Sequence, residues 1–376
     1  MLHRWPGTKP LLATGVAFSA ACATLHYLEG ITTMNNAPTI VQNGTPNGTA
    51  QSEAPPMIEV RGVTKRFGDT EVVRDLTFDV RQGEIFGFIG PSGSGKTTTI
   101  RLLTGVYEPS EGQVLVMGKI PSHPSSQVQE RFGYMPQLFV LYPNLTVWEN
   151  LNFAASIYGL SPRVRRRRIK EMLDFVELSD ARNRVAANVS GGMQRRIELA
   201  ASLVHDPPLL FVDEPTAGID PVLRGKFWDE FRRLRDEGRT IFVTTQYVGE
   251  SEYCDRVGVI RNGRIIAVDT PLGLRRLALG GDVVDIMSND FTAAAVYNLS
   301  QLPVVREVRP SSRTEVRVYV EEAASAIPIL LEAMNTNNCS ISRIEELKPS
   351  FDEVFIELMN RDALATGEGE AGEGSA

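Results

Sequence analysis

A chain of 376 residues, 42% hydrophobic and 23% charged, is long enough for two or three domains and has the ordinary composition of a soluble globular protein. Its formal net charge of −7 argues against a nucleic-acid partner, which would call for a basic face. Three scattered cysteines, Cys22, Cys254 and Cys339, fit no metal-ligand spacing and leave an odd one over, so reduced thiols are expected.

In chain order, residues 1–56 come first. Pro10 to Leu28 carries no Lys, Arg, Asp or Glu and follows His3, Arg4 and Lys9, which resembles a signal peptide with Ala21-Cys22-Ala23 as a cleavage site. Thr14, Gly15, Ser19 and Thr24 make it weakly apolar for a bilayer span. Asn35 to Pro56 reads as linker. Because export conflicts with the motifs that follow, residues 1–56 are expected to be a disordered or mis-started tail, with Met34 and Met57 as other starts.

Ile58 to Val63 and Glu71 to Val80 alternate apolar and polar residues, as antiparallel edge strands do. Glu84 to Ile89 is a continuous apolar run, the pattern of a buried parallel strand. It runs into Gly90-Pro91-Ser92-Gly93-Ser94-Gly95-Lys96-Thr97, a match to G-x-x-x-x-G-K-[ST], with a helix starting near Lys96 and burying Ile100, Leu102 and Leu103. Residues 138–189 carry helical periodicity at Val147 to Tyr158 and Val164 to Val176, a helical insertion. Its basic run, Arg163 and Arg165 to Arg168 with Lys170, reads as a solvated face with Val164, Ile169, Met172 and Leu173 inward. Leu209 to Val212 and Thr240 to Thr244 are buried strands, and Val257 to Val268 is a hairpin turning at Asn262-Gly263. Beyond Gly280-Gly281 the order is strand 283–287, helix 291–302, strands 304–308 and 315–320, helix 323–334 and strand 341–347. This βαββαβ order predicts a small ferredoxin-like domain over 282–361, closed by a helix from Ser350 to Met359. Residues 362–376 are expected to be disordered.

The glycine-rich loop presents backbone N–H groups to phosphate at a helix N-terminus. Lys96 reaches the β- and γ-phosphates of a nucleoside triphosphate, Thr97 is placed to hold Mg²⁺, and Thr98 continues the same turn. Asp213 ends an apolar strand, where its carboxylate can bind Mg²⁺. Glu214, facing differently, can serve as general base toward the attacking water.

Taken together, Lys96, Gln137 in Gly133-Tyr134-Met135-Pro136-Gln137, Val189-Ser190-Gly191-Gly192-Met193-Gln194 and Asp213-Glu214 resemble the ATPase cassette of ABC transporters over residues 57 to about 270. The resemblance implies an α/β P-loop fold over 57–281: a mixed core sheet, antiparallel edge strands and the insertion. It implies that Phe67 stacks on adenine, that Gln137 touches Mg²⁺ or the water, and that Ser190, Gly191 and Gly192 bind the γ-phosphate held by a second copy. Asp220 matches the aspartate of the loop that follows. The expected activity is ATP hydrolysis in a head-to-tail dimer docked on separate transmembrane permease subunits, at the cytoplasmic face of the membrane.

The sequence departs from the family at Thr244-Thr245-Gln246-Tyr247, where Gln246 replaces the usual switch histidine. With Pro349-Ser350-Phe351-Asp352-Glu353-Val354-Phe355, this variant is similar to ATPases of the daunorubicin-resistance drug exporters, so export of drugs, lipids or related compounds is expected. An importer ATPase is the alternative. Non-transport members fit less well: no sustained heptads separate Lys96 from Ser190, and there is one P-loop and one signature.

Overall fold

The computed structural model describes residues 55–123, 127–337 and 339–366. The reading of residues 1–56 as a tail falls almost wholly outside them, as does that of 367–376.

The chain starts with β1 (Ile58–Phe67) and β2 (Thr70–Val80), continues through β3 (Ile85–Ile89) and α1 (Lys96–Leu103), and reaches β4 (Glu111–Val116). β2, β1 and β4 form an antiparallel three-stranded sheet in that order. Then follow β5 (Phe132–Met135), α2 (Val147–Ile157), α3 (Pro162–Phe175), α4 (Gly191–Leu203), β6 (Leu209–Asp213), α5 (Pro221–Asp236), β7 (Thr240–Thr245), β8 (Arg256–Arg261), β9 (Arg264–Asp269) and α6 (Pro271–Leu279). A six-stranded sheet has the order β5-β6-β7-β3-β8-β9, parallel except for β9. β4 and β5 were not anticipated from sequence: β4 exposes its first three residues and β5 is only four residues long.

Continuous apolar runs suit the central strands because both faces are covered. Ile85 and Ile89, Leu210 and Val212, and Ile241 and Val243 point into one core beneath α2 to α5. Their strand neighbours Phe86, Phe88, Leu209, Phe211 and Phe242 point into the other, against the three-stranded sheet and α1. Helix starts follow local chemistry. Thr146 and Glu149 make a capping box ahead of α2, and α3, α5 and α6 each carry proline in the first turn. On α3 the inward face is Ile169, Met172 and Leu173, whereas Val164, in the first turn, is 40% exposed rather than packed.

A third sheet, β11-β12-β10-β13, is antiparallel throughout and is built from β10 (Asp282–Ser288), α7 (Ala293–Ser300), β11 (Val305–Pro310), β12 (Glu315–Val320), α8 (Ala323–Thr336) and β13 (Ile341–Leu347). Its strand order is that of a ferredoxin-like βαββαβ unit, with a separate core of Val284, Ile286, Leu299, Val316, Val318 and Leu330. The last helix, α9 (Phe351–Thr366), corrects two expectations. It continues past Met359, so residues 362–366 are helical. It also does not close the small sheet: Phe351, Val354 and Leu358 are buried in the core that contains Leu274 and Trp228. Polar contacts fix the same docking, with Arg261 donating to Asp362 at 2.9 Å and Arg361 donating to the Leu277 carbonyl at 2.8 Å.

Candidate functional site

The glycine-rich loop bridges β3 and α1. Gly93 and Gly95 adopt φ of 78° and 107°, a region that favours glycine. A Cβ on Gly90 would lie 2.3 Å from the Ile260 carbonyl, so only glycine lets the loop cross β8. The two-residue turn Asn262-Gly263, left-handed at both positions, joins β8 to β9 and supports the loop from behind, Gly263 N–H donating to Ser94 O at 3.0 Å. Ser94 Oγ is buried with no hydrogen-bond partner among the described residues, a hydroxyl left over inside a loop of backbone N–H groups. Lys96, 5% exposed, donates from Nζ to Gly90 O at 2.9 Å and Pro91 O at 3.1 Å. Pro91 and Ser92 are exposed; Thr97 and Thr98 are half-buried on the first turn of α1.

Beside the loop, β6 delivers Asp213 and Glu214. Asp213 is buried and accepts a hydrogen bond from Thr244 Oγ1. Burial pushes its carboxyl above the usual range, while hydrogen bonds from Thr244 and Thr97 pull the other way. Glu214 adopts φ 47°, unusual for a residue with a side chain and held by its N–H donating to Thr244 O at 3.0 Å. That turn sends consecutive carboxylates in different directions. Glu214 Oε1 lies 3.4 Å from Lys96 Nζ, and Oε2 accepts from Gln137 Nε2 at 2.8 Å. Thr97, Asp213 and Gln137 offer oxygen donors, the type a hard dication prefers.

The remaining candidates stand apart. Ser190 caps α4, accepting from Met193 N–H at 3.4 Å, with Gly191 and Gly192 in the first turn. Asp220 caps α5, accepting from Val222 and Leu223 N–H at 3.0 Å each. Phe67, at the end of β1 and 43% exposed, meets the edge of Tyr107 at 5.2 Å between centroids. Gln246, exposed just past β7, has no hydrogen-bond partner among the described residues. No described hydrogen bond or ion pair joins these six residues to Lys96, Asp213 or Glu214. Sequence reading passed over Thr244, which donates to Asp213, Arg195, which donates to the backbone carbonyls of Gln137 and Glu214, and Glu198, which meets the cluster only through Arg195. Arg195 and Glu198, three apart and so on one face of α4, were the available signal.

A glycine-rich loop between a parallel strand and a helix, with a carboxylate pair at the end of another parallel strand of the same sheet, defines a P-loop nucleoside triphosphatase. The family model described as ABC transporter matches residues 73–217. The chain is 40% identical over 232 residues to the probable multidrug ABC transporter ATP-binding protein YbhF of Escherichia coli, covering 62% of this chain but only 39% of that protein's length. It is 35% identical over 309 residues to the Nod factor export ATP-binding protein I of Ralstonia nicotianae (82% of this chain, 95% of the relative). To the linearmycin resistance ATP-binding protein LnrL of Bacillus subtilis it is 31% identical over 309 residues (81% and 99%). Among solved structures, an ATP binding subunit of an ABC transporter superimposes with a TM-score of 0.54 at 31% identity over 59% of this chain and 92% of its own. The dimeric ATP-binding cassette MJ0796 bound to ADP and Pi gives 0.53 at 26% over 57% and 98%. The chain belongs to the ATP-binding proteins of ABC transporters, the ATPase components of those systems.

Among the described residues no helix is long and apolar enough to cross a membrane.

Proposed function

We propose that this chain binds ATP with Mg²⁺, hydrolyses it between two head-to-tail copies, and energises export through separate transmembrane subunits at the cytoplasmic membrane face. The observation that carries the hydrolytic reading is the convergence of Lys96 and Gln137 on the two oxygens of Glu214. The P-loop N–H groups and Lys96 would bind the phosphates. Thr97, Asp213 and Gln137 would hold Mg²⁺, which supplies charge neutralisation at the phosphates when bound. Glu214 takes a proton from water as the water oxygen bonds to the γ-phosphorus and the bond to the β–γ bridging oxygen breaks, releasing ADP. Phe67 would stack on the base. Ser190, Gly191, Gly192 and Asp220 would act on the nucleotide of the other copy, which fits their standing apart within one chain.

Two features support export over import: the names of the relatives matched over 309 residues, longer than the cassette alone, and the Thr-Thr-Gln-Tyr segment at 244–247. The cassette is taken as 57–281 together with α9, and the small domain as β10 to β13.

The test is Glu214→Gln, which keeps shape and removes the base. Turnover should fall by about 10²- to 10⁴-fold while ATP stays bound in a stable dimer detected by light scattering. Lys96→Ala should instead weaken ATP binding itself. Near wild-type turnover in Glu214→Gln would remove that carboxylate from the base role.

A further inference from the structure

The helix that begins at Ser190 carries two buried charges, Arg195 (8% exposed) and Glu198 (3%). Arg195 Nη1 donates to Pro136 O at 2.8 Å and to Glu198 Oε2 at 2.9 Å. Nη2 donates to Gln137 O at 2.5 Å and Glu214 O at 3.3 Å. Glu198 uses its other oxygen, Oε1, to accept from Val140 N–H at 3.0 Å. One guanidinium nitrogen therefore holds the backbones of the two residues whose side chains meet at 2.8 Å, closing a ring through Gln137, Glu214 and Arg195.

Burying a guanidinium is costly unless its donors are satisfied, and here they are spent on carbonyls of two segments far apart in sequence. The two terminal nitrogens of the guanidinium divide the contacts, Nη1 serving Pro136 O and Glu198 and Nη2 serving Gln137 O and Glu214 O; a lysine ammonium at the same Cα offers a single nitrogen and cannot occupy both positions. Glu214 also sits in a left-handed conformation that persists only where surrounding contacts restrain it, and the Arg195 bond to its carbonyl is one such contact.

We infer that Arg195, braced by Glu198, is a positioning residue for hydrolysis: it ties the backbones of Gln137 and Glu214 to the helix that starts at Ser190, so that the carboxylate and the glutamine amide stay aligned. A displacement of that helix is transmitted to both. The inference rests on Glu214 acting as the base.

The test measures kcat and KM for ATP on the full chain, with folding followed by circular dichroism. Arg195→Lys should lower kcat by about 10- to 100-fold, the scale of a small misplacement, and leave KM within about twofold. Gln137→Ala/Arg195→Lys should be no slower than the worse single variant, because both act through one alignment. Glu198→Gln, which keeps the shape but removes the charge and turns one of the two accepting oxygens into an NH₂ donor, should lower kcat by a smaller factor and carries the test if Arg195→Lys does not fold. Unchanged kcat per folded molecule in both, or losses that multiply with Gln137→Ala, would overturn the inference. Glu214→Gln, assayed alongside, separates the premises: if it alone is inactive, only the Arg195 role fails, and if it turns over normally, the base assignment fails first.

Discussion

Arg224 on α5 lies over the ring of Tyr247, its guanidinium carbon 4.3 Å from the ring centroid. Tyr247 N–H also donates to Thr245 Oγ1 at 3.0 Å. Both neighbours of Gln246 are thus fixed while Gln246 itself is exposed at the strand end. Its amide both donates and accepts, so it can meet a phosphate oxygen and orient water. Gln246→Ala should lose about 10²-fold or more in kcat, the scale for one transition-state donor. Gln246→His should stay active and gain a pH dependence between about 6 and 7.5 that the glutamine lacks. Steady-state turnover with the membrane subunits present measures both, and an unchanged rate in Gln246→Ala leaves it without a catalytic role.

Phe351 is 1% exposed, seated in the cassette core with the Arg275 guanidinium 5.7 Å from its ring centroid. Phe351→Ala should cost about 3–5 kcal/mol, read as a lower urea midpoint. Ile356→Ala, on the same helix but 59% exposed, should stay within about 0.5 kcal/mol. Equal midpoints for the two variants would show that α9 contributes nothing to the cassette.

The His205 ring stacks on Tyr158 with centroids 3.5 Å apart, and its Nε2 donates to Phe132 O at 3.1 Å. Burial pushes its pKa down to about 4; Arg168 and Arg239 act in the same direction, the Phe132 bond and Asp206 in the other. The native state therefore refuses a proton that the unfolded chain accepts below about 6.5. This contribution is whole above pH 6.5 and is lost as pH falls toward 4, up to about 3 kcal/mol. His205→Gln keeps a donor toward Phe132 O and does not titrate, so its urea midpoints should decline less between pH 6.5 and 4. A decline as steep as wild type would assign the effect to other groups.

The P-loop, Asp213 and Glu214 were legible in sequence because their chemistry admits few residue types at fixed spacing. The central strands were legible because burial on both faces leaves continuous apolar runs such as Ile85 to Ile89. Edge strands carry weaker marks, and β4 and β5 passed unread. The partner of α9 was hidden for a different reason. A helical apolar stripe says which face is buried, not what covers it, and Phe351, Val354 and Leu358 would read the same against either core. Arg195 and Glu198 look like an ordinary surface ion pair until the carbonyls around them are known.

Since α9 returns to the cassette after the small sheet is complete, the surface it covers is finished well before its cover exists. During synthesis a ribosome makes Trp228, Leu274 and their neighbours first, and the whole β10–β13 unit emerges before Phe351 does. For that interval apolar surface on the ATPase core stands open to solvent and to chaperones. The small sheet is thus a span of chain that must be translated between the cassette and its own last helix.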